Sequence, residues 1–128
     1  MDNVKILYVD KEENNLIAFK AYFRRKEAFE IKMSSSIEDA LTIEVRFHIL
    51  IIDHTLLRNG EQDKSKLIFD MFGRKGTDTV KIIVTTYRDI TDLEGHLASG
   101  ELYDCLYKPV DFEHLGRVIE QAYASHFK

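Results

Sequence analysis

Residues 49–53 read Ile49-Leu50-Ile51-Ile52-Asp53, four apolar residues followed by one aspartate. A short apolar run without alternation is typical of a strand buried on both faces, which is the usual situation in a parallel sheet. Three other runs have the same form and end at Asp10, Thr85 and Lys108. Because all strands of a parallel sheet point the same way, we expect the four end residues to meet at one edge, where open α/β sheets bind ligands.

The size and composition of the chain indicate one globular domain over residues 1–128. Of the 128 residues, 45% are hydrophobic and 31% are charged, the proportions of an ordinary soluble domain. The net charge of −4 argues against direct binding to nucleic acid. No apolar stretch approaches the ~20 residues that cross a bilayer, and the start of the sequence lacks a recognisable secretory signal. The single cysteine fits a reducing compartment, so we expect a cytoplasmic protein without membrane contact.

Segments with helical spacing of apolar residues separate the strands. The spacing predicts five helices, over residues 13–26, 37–46, 64–72, 89–99 and 112–127. An alternating segment, residues 28–33, predicts one more strand, which is the second in chain order. The polar loop 54–63 is expected to serve as a lid or docking surface. Strict alternation with right-handed crossovers predicts the α/β class: a doubly wound, five-stranded parallel sheet with five helices on its two faces.

The four residues at the strand ends have the chemistry of a phosphoryl or metal site. Asp10 and Asp53 can hold a hard divalent cation such as Mg²⁺, which prefers oxygen ligands. Lys108 can pair with an anion, Thr85 can donate a hydrogen bond to it, and Asp53 can be a nucleophile toward phosphorus. The alternative is structural, since these residues can also cap helices, and Lys108 can pair with either carboxylate without any chemistry.

The ends of the four apolar runs, taken in their order along the chain, resemble the motifs of one known family. The relevant segments are Ile6-Leu7-Tyr8-Val9-Asp10, Ile51-Ile52-Asp53, Val84-Thr85-Thr86 and Tyr107-Lys108-Pro109. They are similar to the acidic turn, the phosphoacceptor strand, the switch threonine and the Lys-Pro motif of CheY-like receiver domains in two-component response regulators. The resemblance spans nearly the whole chain. It implies a flavodoxin-like, CheY-like fold with strand order 2-1-3-4-5.

The resemblance also implies roles for the site residues. Asp53 would accept a phosphoryl group from a histidine kinase or a phosphotransfer protein. Asp10, Asp53 and the backbone carbonyl of Thr55 would bind Mg²⁺, while Thr85 and Lys108 would bind the phosphoryl oxygens. The domain would not be an enzyme in the usual sense, since it would transfer a phosphoryl group only to its own aspartate and lose it slowly.

Signalling is expected to use one face of the domain. Movement of Thr85 toward the phosphoryl group would reshape the face formed by the fourth helix, the fifth strand and the fifth helix. A downstream output protein, or a second copy of the chain in a homodimer, would bind there.

Three positions depart from the family pattern. Lys11 stands where a second acidic metal ligand is usual, Cys105 where an aromatic switch residue is common, and Leu57 where a proline is common. The Lys11 ammonium either points to solvent or lies near Asp53 in place of the metal, which would weaken or abolish Mg²⁺ binding. These departures favour an alternative function, a pseudo-receiver that binds partners without regular Mg²⁺-dependent phosphorylation. Cys105 is expected to be an inert thiol rather than a redox sensor.

Two other classes of function fit the sequence less well. A flavodoxin-like binder of small ligands needs a phosphate-binding loop after the first strand, but residues 10–13 are mostly acidic and lack glycine. A phosphatase-like hydrolase needs a second carboxylate two residues after the nucleophile, and Thr55 occupies that position.

Overall fold

A computed structural model describes residues 3–43, 45–58, 64–73 and 79–128. The chain forms a five-stranded sheet in the order β2-β1-β3-β4-β5, and every neighbouring pair of strands is parallel. The strands are β1 (Val4–Val9), β2 (Phe29–Ser34), β3 (Ile49–Asp53), β4 (Val80–Thr85) and β5 (Asp104–Tyr107). The predicted fold class and strand order are therefore confirmed.

Six helices occur within the described ranges. They are α1 (Glu13–Phe23), α2 (Ile37–Leu41), α3 (His54–Leu57), α4 (Ser65–Phe72), α5 (Thr91–Ser99) and α6 (Phe112–Phe127). Among these described helices, none is both long and apolar enough to cross a membrane.

The helices cover both faces of the sheet and bury an apolar layer on each. One layer lies under α1 and α6, where Phe19 and Ile119 are completely buried against the strands. The other lies under α2 to α5 and includes Ile37, Ile68 and Leu93. Residues of β1, β3 and β4 alternate between the two layers, which explains why these strands have continuous apolar sequences.

The prediction of five helices was wrong by one, because part of the predicted loop is helical. The additional helix, α3, begins directly after Asp53, whose carboxylate accepts a hydrogen bond from the backbone N–H of Thr55. Leu56 and Leu57 in this helix are buried in the core beside the sheet. The helical conformation therefore provides both a backbone hydrogen bond and burial of apolar side chains. Residues 59–63 of the predicted loop lie outside the described part of the chain.

Helix and strand ends differ from the predicted bounds by a few residues. The second helix ends at Leu41 instead of residue 46, and Ser36 caps its start by accepting the N–H of Asp39. The apolar run before Lys108 starts at Leu102 in the sequence, but β5 begins at Asp104, since the N–H of Leu102 bonds to the carbonyl of His96 in α5. The last helix has the predicted bounds.

Candidate functional site

The sheet places the four predicted residues at one edge. Asp10 directly follows β1 and Asp53 is the last residue of β3, and these two neighbouring strands pair in parallel register. The backbone N–H of Lys108 donates to the carbonyl of Thr85 at 2.8 Å, which aligns the ends of β4 and β5. Residues as far apart in sequence as Asp10 and Lys108 therefore share one site, as the pattern of strand ends predicted.

Asp10 is completely buried, and its carboxylate accepts hydrogen bonds from four protein groups. Its Oδ1 accepts the backbone N–H of Glu12 at 2.9 Å. Its Oδ2 accepts the Tyr8 hydroxyl at 2.8 Å, the Lys108 ammonium at 2.9 Å and the Asn15 amide at 3.3 Å. Each carboxylate oxygen offers about two lone-pair directions, so Oδ2 is fully engaged by protein donors and Oδ1 retains one direction. The burial of Tyr8, together with the adjacent Asp10 charge, raises the pKa of the tyrosine and keeps the hydroxyl a donor.

Asp53 is nearly buried and shares the Lys108 ammonium with Asp10. Its Oδ2 lies 3.5 Å from Lys108 Nζ, and its Oδ1 accepts the backbone N–H of Thr55 at 3.2 Å. Burial, and next the negative charge of Asp10, raise the pKa of Asp53, although Lys108 acts in the opposite direction. The site thus holds a buried carboxylate whose negative charge is only partly balanced by the Lys108 ammonium.

Thr85 lies at the same edge, but its hydroxyl bonds to a residue that the sequence did not single out. Thr85 Oγ1 is 2.8 Å from His54 Nδ1 and also accepts the backbone N–H of Tyr87 at 2.9 Å. His54 is completely buried, and its Nε2 is 2.8 Å from Asp92 Oδ2. The structure therefore brings Asp10, Asp53 and Lys108 into one cluster and directs Thr85 toward a separate His54–Asp92 pair.

Lys11 does not enter the site. Its side chain is exposed and makes no ion pair with any residue that the structure describes. The cation beside both carboxylates is Lys108, so of the two positions considered for Lys11 the solvent-facing one is observed. Glu12 and Glu13 are also exposed and do not supply the missing acidic group.

The donor set fits Mg²⁺ only as a minimal site. Mg²⁺ is commonly held by one or two carboxylates together with waters and phosphate oxygens, and Asp10 and Asp53 provide two carboxylates. Within the described ranges, no group of three His, Cys, Asp or Glu side chains is placed to hold a metal ion. All buried side-chain nitrogens and oxygens of the described residues have partners, and a metal would share Asp10 with the four donors above.

Cys105 lies in β5 and is half-buried. Burial, followed by the charges of Asp104 and Asp92, raises the pKa of its thiol to about 11. A thiol that is protonated at neutral pH is a poor nucleophile, which agrees with the expected inert role. Of the tyrosines near this strand, Tyr107 is 53% exposed, and the ring of Tyr87 meets the imidazole of His54 edge-on.

His54 and Asp92 are the residues that the sequence analysis missed. The available signal was that His54 follows Asp53 directly and precedes the apolar residues Leu56 and Leu57, a context in which a histidine becomes buried. Nothing in the sequence indicated Asp92 as its partner, since 38 positions separate the two residues and Asp92 lies in the polar first turn of α5.

Comparisons with known proteins give matches at the level of structure. No family model and no curated protein matches the sequence. The receiver domain of an HD domain-containing protein from Pseudomonas fluorescens Pf-5 is 21% identical, with a TM-score of 0.80 over 97% of this chain and 97% of that chain. A CheY-like receiver domain protein from Methanospirillum hungatei JF-1 is 17% identical, with a TM-score of 0.73 over 97% and 99% of the two chains. The beryllofluoride-activated NtrC4 receiver domain dimer is 19% identical, with a TM-score of 0.74 over 95% and 98%.

These similarities define the class of the fold. The chain has the fold of response-regulator receiver domains, which are signalling domains, and the likeness covers nearly its whole length. The expected resemblance to CheY-like receivers is confirmed in this sense.

Proposed function

We propose that this protein is a phosphoacceptor receiver domain in which Asp53 accepts a phosphoryl group from a histidine kinase or a phosphotransfer protein. The observation that supports this most directly is the shared cation: Lys108 Nζ lies 2.9 Å from Asp10 and 3.5 Å from Asp53 at the carboxyl edge of a parallel sheet. An ammonium at this position can move from the Asp53 carboxylate to a phosphoryl oxygen without leaving Asp10. It would thereby offset the charge that develops during transfer.

The proposed transfer is a nucleophilic displacement at phosphorus. An Asp53 carboxylate oxygen forms the new P–O bond, the P–N bond of the phosphohistidine breaks, and the departing imidazole recovers its proton from solvent. Lys108 contacts one phosphoryl oxygen, and the Thr85 hydroxyl donates to another. Hydrolysis by water would then return the free carboxylate slowly, so the domain acts as a switch and not as a turnover enzyme.

Mg²⁺ belongs to the proposal as a weakly held ion. Asp10, Asp53 and the backbone carbonyl of Thr55 are the groups that would hold it, and its positive charge would reduce repulsion between Asp53 and the phosphoryl oxygens. The absence of an acid at Lys11 and the four donors on Asp10 favour low affinity until a phosphoryl oxygen completes the site.

The output is proposed to pass through the face formed by α5, β5 and α6. A cleft beside the site is lined by Thr86, Arg88, Tyr107 and Lys108, and Tyr107 is exposed there. A charged and aromatic surface next to Lys108 suits a protein partner, either an output protein or a second copy of the chain. The half-buried single cysteine suits the proposed location in the cytoplasm.

The proposal is tested by intact mass after incubation with acetyl phosphate, with and without Mg²⁺. Wild-type protein is expected to gain one phosphoryl group in a Mg²⁺-dependent manner, and Asp53→Asn is expected to gain none. Asp104→Asn is the matched control, since it removes a partly buried aspartate from another strand of the same sheet and should leave the gain intact. A gain that persists in Asp53→Asn would refute the assignment of the acceptor.

A pseudo-receiver is the second candidate function. It is favoured by Lys11 and by the fact that Asp10, Thr85 and Lys108 all have protein partners already. In that case the wild type would gain no phosphoryl group, and Lys11→Asp would restore the gain. The domain would then signal through its surface alone.

A further inference from the structure

His54 connects the end of β4 to the start of α5 through one buried side chain. Both ring nitrogens are engaged, Nδ1 with Thr85 Oγ1 at 2.8 Å and Nε2 with Asp92 Oδ2 at 2.8 Å. The imidazole is 0% exposed, while the Asp92 side chain is 33% exposed in the first turn of α5. The ring of Tyr87 lies edge-on to the imidazole at 5.1 Å, so packing also limits the orientation of His54.

For a neutral His54 imidazole, counting donors and acceptors assigns a direction to both hydrogen bonds. A carboxylate only accepts, so in the neutral imidazole Nε2 bears the hydrogen and donates to Asp92. The other ring nitrogen, Nδ1, is then an acceptor, and the Thr85 hydroxyl donates to it. In this tautomer the single hydrogen of the Thr85 hydroxyl is directed at His54, while its oxygen accepts the N–H of Tyr87. No hydrogen of this hydroxyl remains for an oxygen bound at Asp53.

We propose that His54 is a positioning residue that holds the Thr85 hydroxyl in the resting state. A phosphoryl group on Asp53 must compete with the imidazole for the hydroxyl hydrogen. This inference rests on the proposed function, because it concerns the threonine that would contact the phosphoryl group. The hydrogen bond between Thr85 and His54 opposes phosphoryl binding and therefore lowers the affinity of the site for a phosphoryl oxygen.

The same contact gives α5 a means of sensing the state of Asp53. When Thr85 turns to the phosphoryl group, Nδ1 of His54 loses its partner inside the protein. A buried nitrogen without a partner is costly, so His54 must rotate or exchange its hydrogen, and either change disturbs the bond to Asp92. The first turn of α5, which borders the proposed output face, thereby loses its hydrogen bond to His54, the first residue of α3.

The competition is tested with beryllofluoride, a phosphoryl mimic, in the presence of Mg²⁺. Dissociation constants are measured by NMR for the wild type, His54→Leu and His54→Asn. The leucine variant removes the acceptor and should bind about 3- to 10-fold more tightly, the factor that corresponds to one neutral hydrogen bond. The asparagine variant places an amide oxygen near the position of Nδ1 and should remain within about twofold of the wild type.

A control and a second variant separate positioning from packing. His96→Leu removes another imidazole–carboxylate contact of α5, from His96 Nδ1 to Glu101 Oε1 at 3.1 Å, and should leave the affinity unchanged. Asp92→Ala changes a partly exposed residue and should fold even if His54→Leu does not. Without Asp92 the hydrogen can move to Nδ1 of His54, which frees the Thr85 hydroxyl. The nitrogen chemical shifts of His54 should report this change of tautomer, and the affinity should rise.

Transmission is tested by hydrogen exchange in the first turn of α5. Beryllofluoride should accelerate amide exchange there in the wild type and cause no further change in Asp92→Ala. Equal affinities in the wild type, His54→Leu and Asp92→Ala would overturn this inference while leaving the proposed function intact. Failure of beryllofluoride to bind either the wild type or Lys11→Asp would overturn both.

Discussion

Replacing Lys108 by methionine tests whether one ammonium holds the two carboxylates of the site together. Lys108 Nζ lies 2.9 Å from Asp10 Oδ2 and 3.5 Å from Asp53 Oδ2. The exposed fractions of the three side chains are 15% for Lys108, 0% for Asp10 and 6% for Asp53. Water therefore screens these charges only slightly. Methionine keeps most of the apolar length of lysine, so the substitution removes the charge with little change in packing.

The expected loss of stability follows from these distances. With an effective dielectric constant of about 20, the attraction is about 6 kcal/mol to Asp10 and about 5 kcal/mol to Asp53. Desolvation of three buried charges offsets much of this attraction, and removing one partner of a buried pair usually costs about 3–5 kcal/mol. We expect Lys108→Met to lower the free energy of unfolding at pH 7 by about 3–5 kcal/mol for this reason.

Urea unfolding followed by circular dichroism measures the loss. Arg117→Met is the matched control, since Arg117 pairs with Glu113 at 3.3 Å on the exposed side of α6, and a surface pair contributes only about 0.5 kcal/mol. Adding Asp53→Asn to Lys108→Met should recover part of the loss, because one of the two carboxylates that lose the ammonium becomes neutral. A loss below about 1 kcal/mol for Lys108→Met, or no recovery in the double variant, would refute the shared-cation model.

Four further outcomes are expected. Because burial and the nearby Asp10 raise the pKa of Asp53, the folded state binds this proton more tightly than the unfolded chain. The resulting stability is present below the ordinary aspartate pKa and is lost as pH rises through the folded value. Asp53→Asn should therefore unfold at a higher urea concentration than the wild type at pH 7, and the difference should vanish in acid. Lys11→Asp should tighten Mg²⁺ binding about tenfold or more, as measured by calorimetry. Lys20→Glu makes the same change of net charge and should leave the Mg²⁺ affinity unchanged. Equal Mg²⁺ affinities of the wild type and Lys11→Asp would contradict the role given to position 11. Removal of the α6 cap should cost about 1–2 kcal/mol in urea unfolding of Asp111→Ala, because its Oδ1 accepts two backbone N–H groups. The Cys105 thiol, with a pKa of about 11, should react slowly with iodoacetamide at pH 7 and faster as pH rises; rapid reaction at pH 7 would contradict its assignment as inert.

The backbone part of the site was predictable because it depends on a strong and simple pattern. Four apolar runs define strands, of which β1, β3 and β4 are buried on both faces and β5 is a half-buried edge strand. Parallel topology places the ends of all four together. This reasoning located Asp10 beside Lys108 although 98 positions separate them in sequence. It did not depend on the identity of any neighbouring side chain, so the departures at positions 11 and 105 did not affect it.

The partners of individual side chains were not predictable in the same way. Lys11 and Lys108 both follow strands at the same edge, yet only Lys108 contacts the carboxylates. The difference arises from where the backbone turns after each strand, which apolar patterns do not encode. For the same reason the loop prediction failed at α3, where a carboxylate cap and two buried leucines stabilise a helical turn.

The resting site is a set of satisfied contacts, and this has a consequence for how it could switch. Asp10 is bonded to four donors, Lys108 to two carboxylates, and Thr85 to His54. A phosphoryl group at Asp53 would therefore exchange partners instead of adding new ones to vacant donors. Such an exchange gives a modest net free energy, which suits a reversible switch. It also means that the residues which hold Lys108 and Thr85 at rest determine the response as much as the residues that would contact the phosphoryl group.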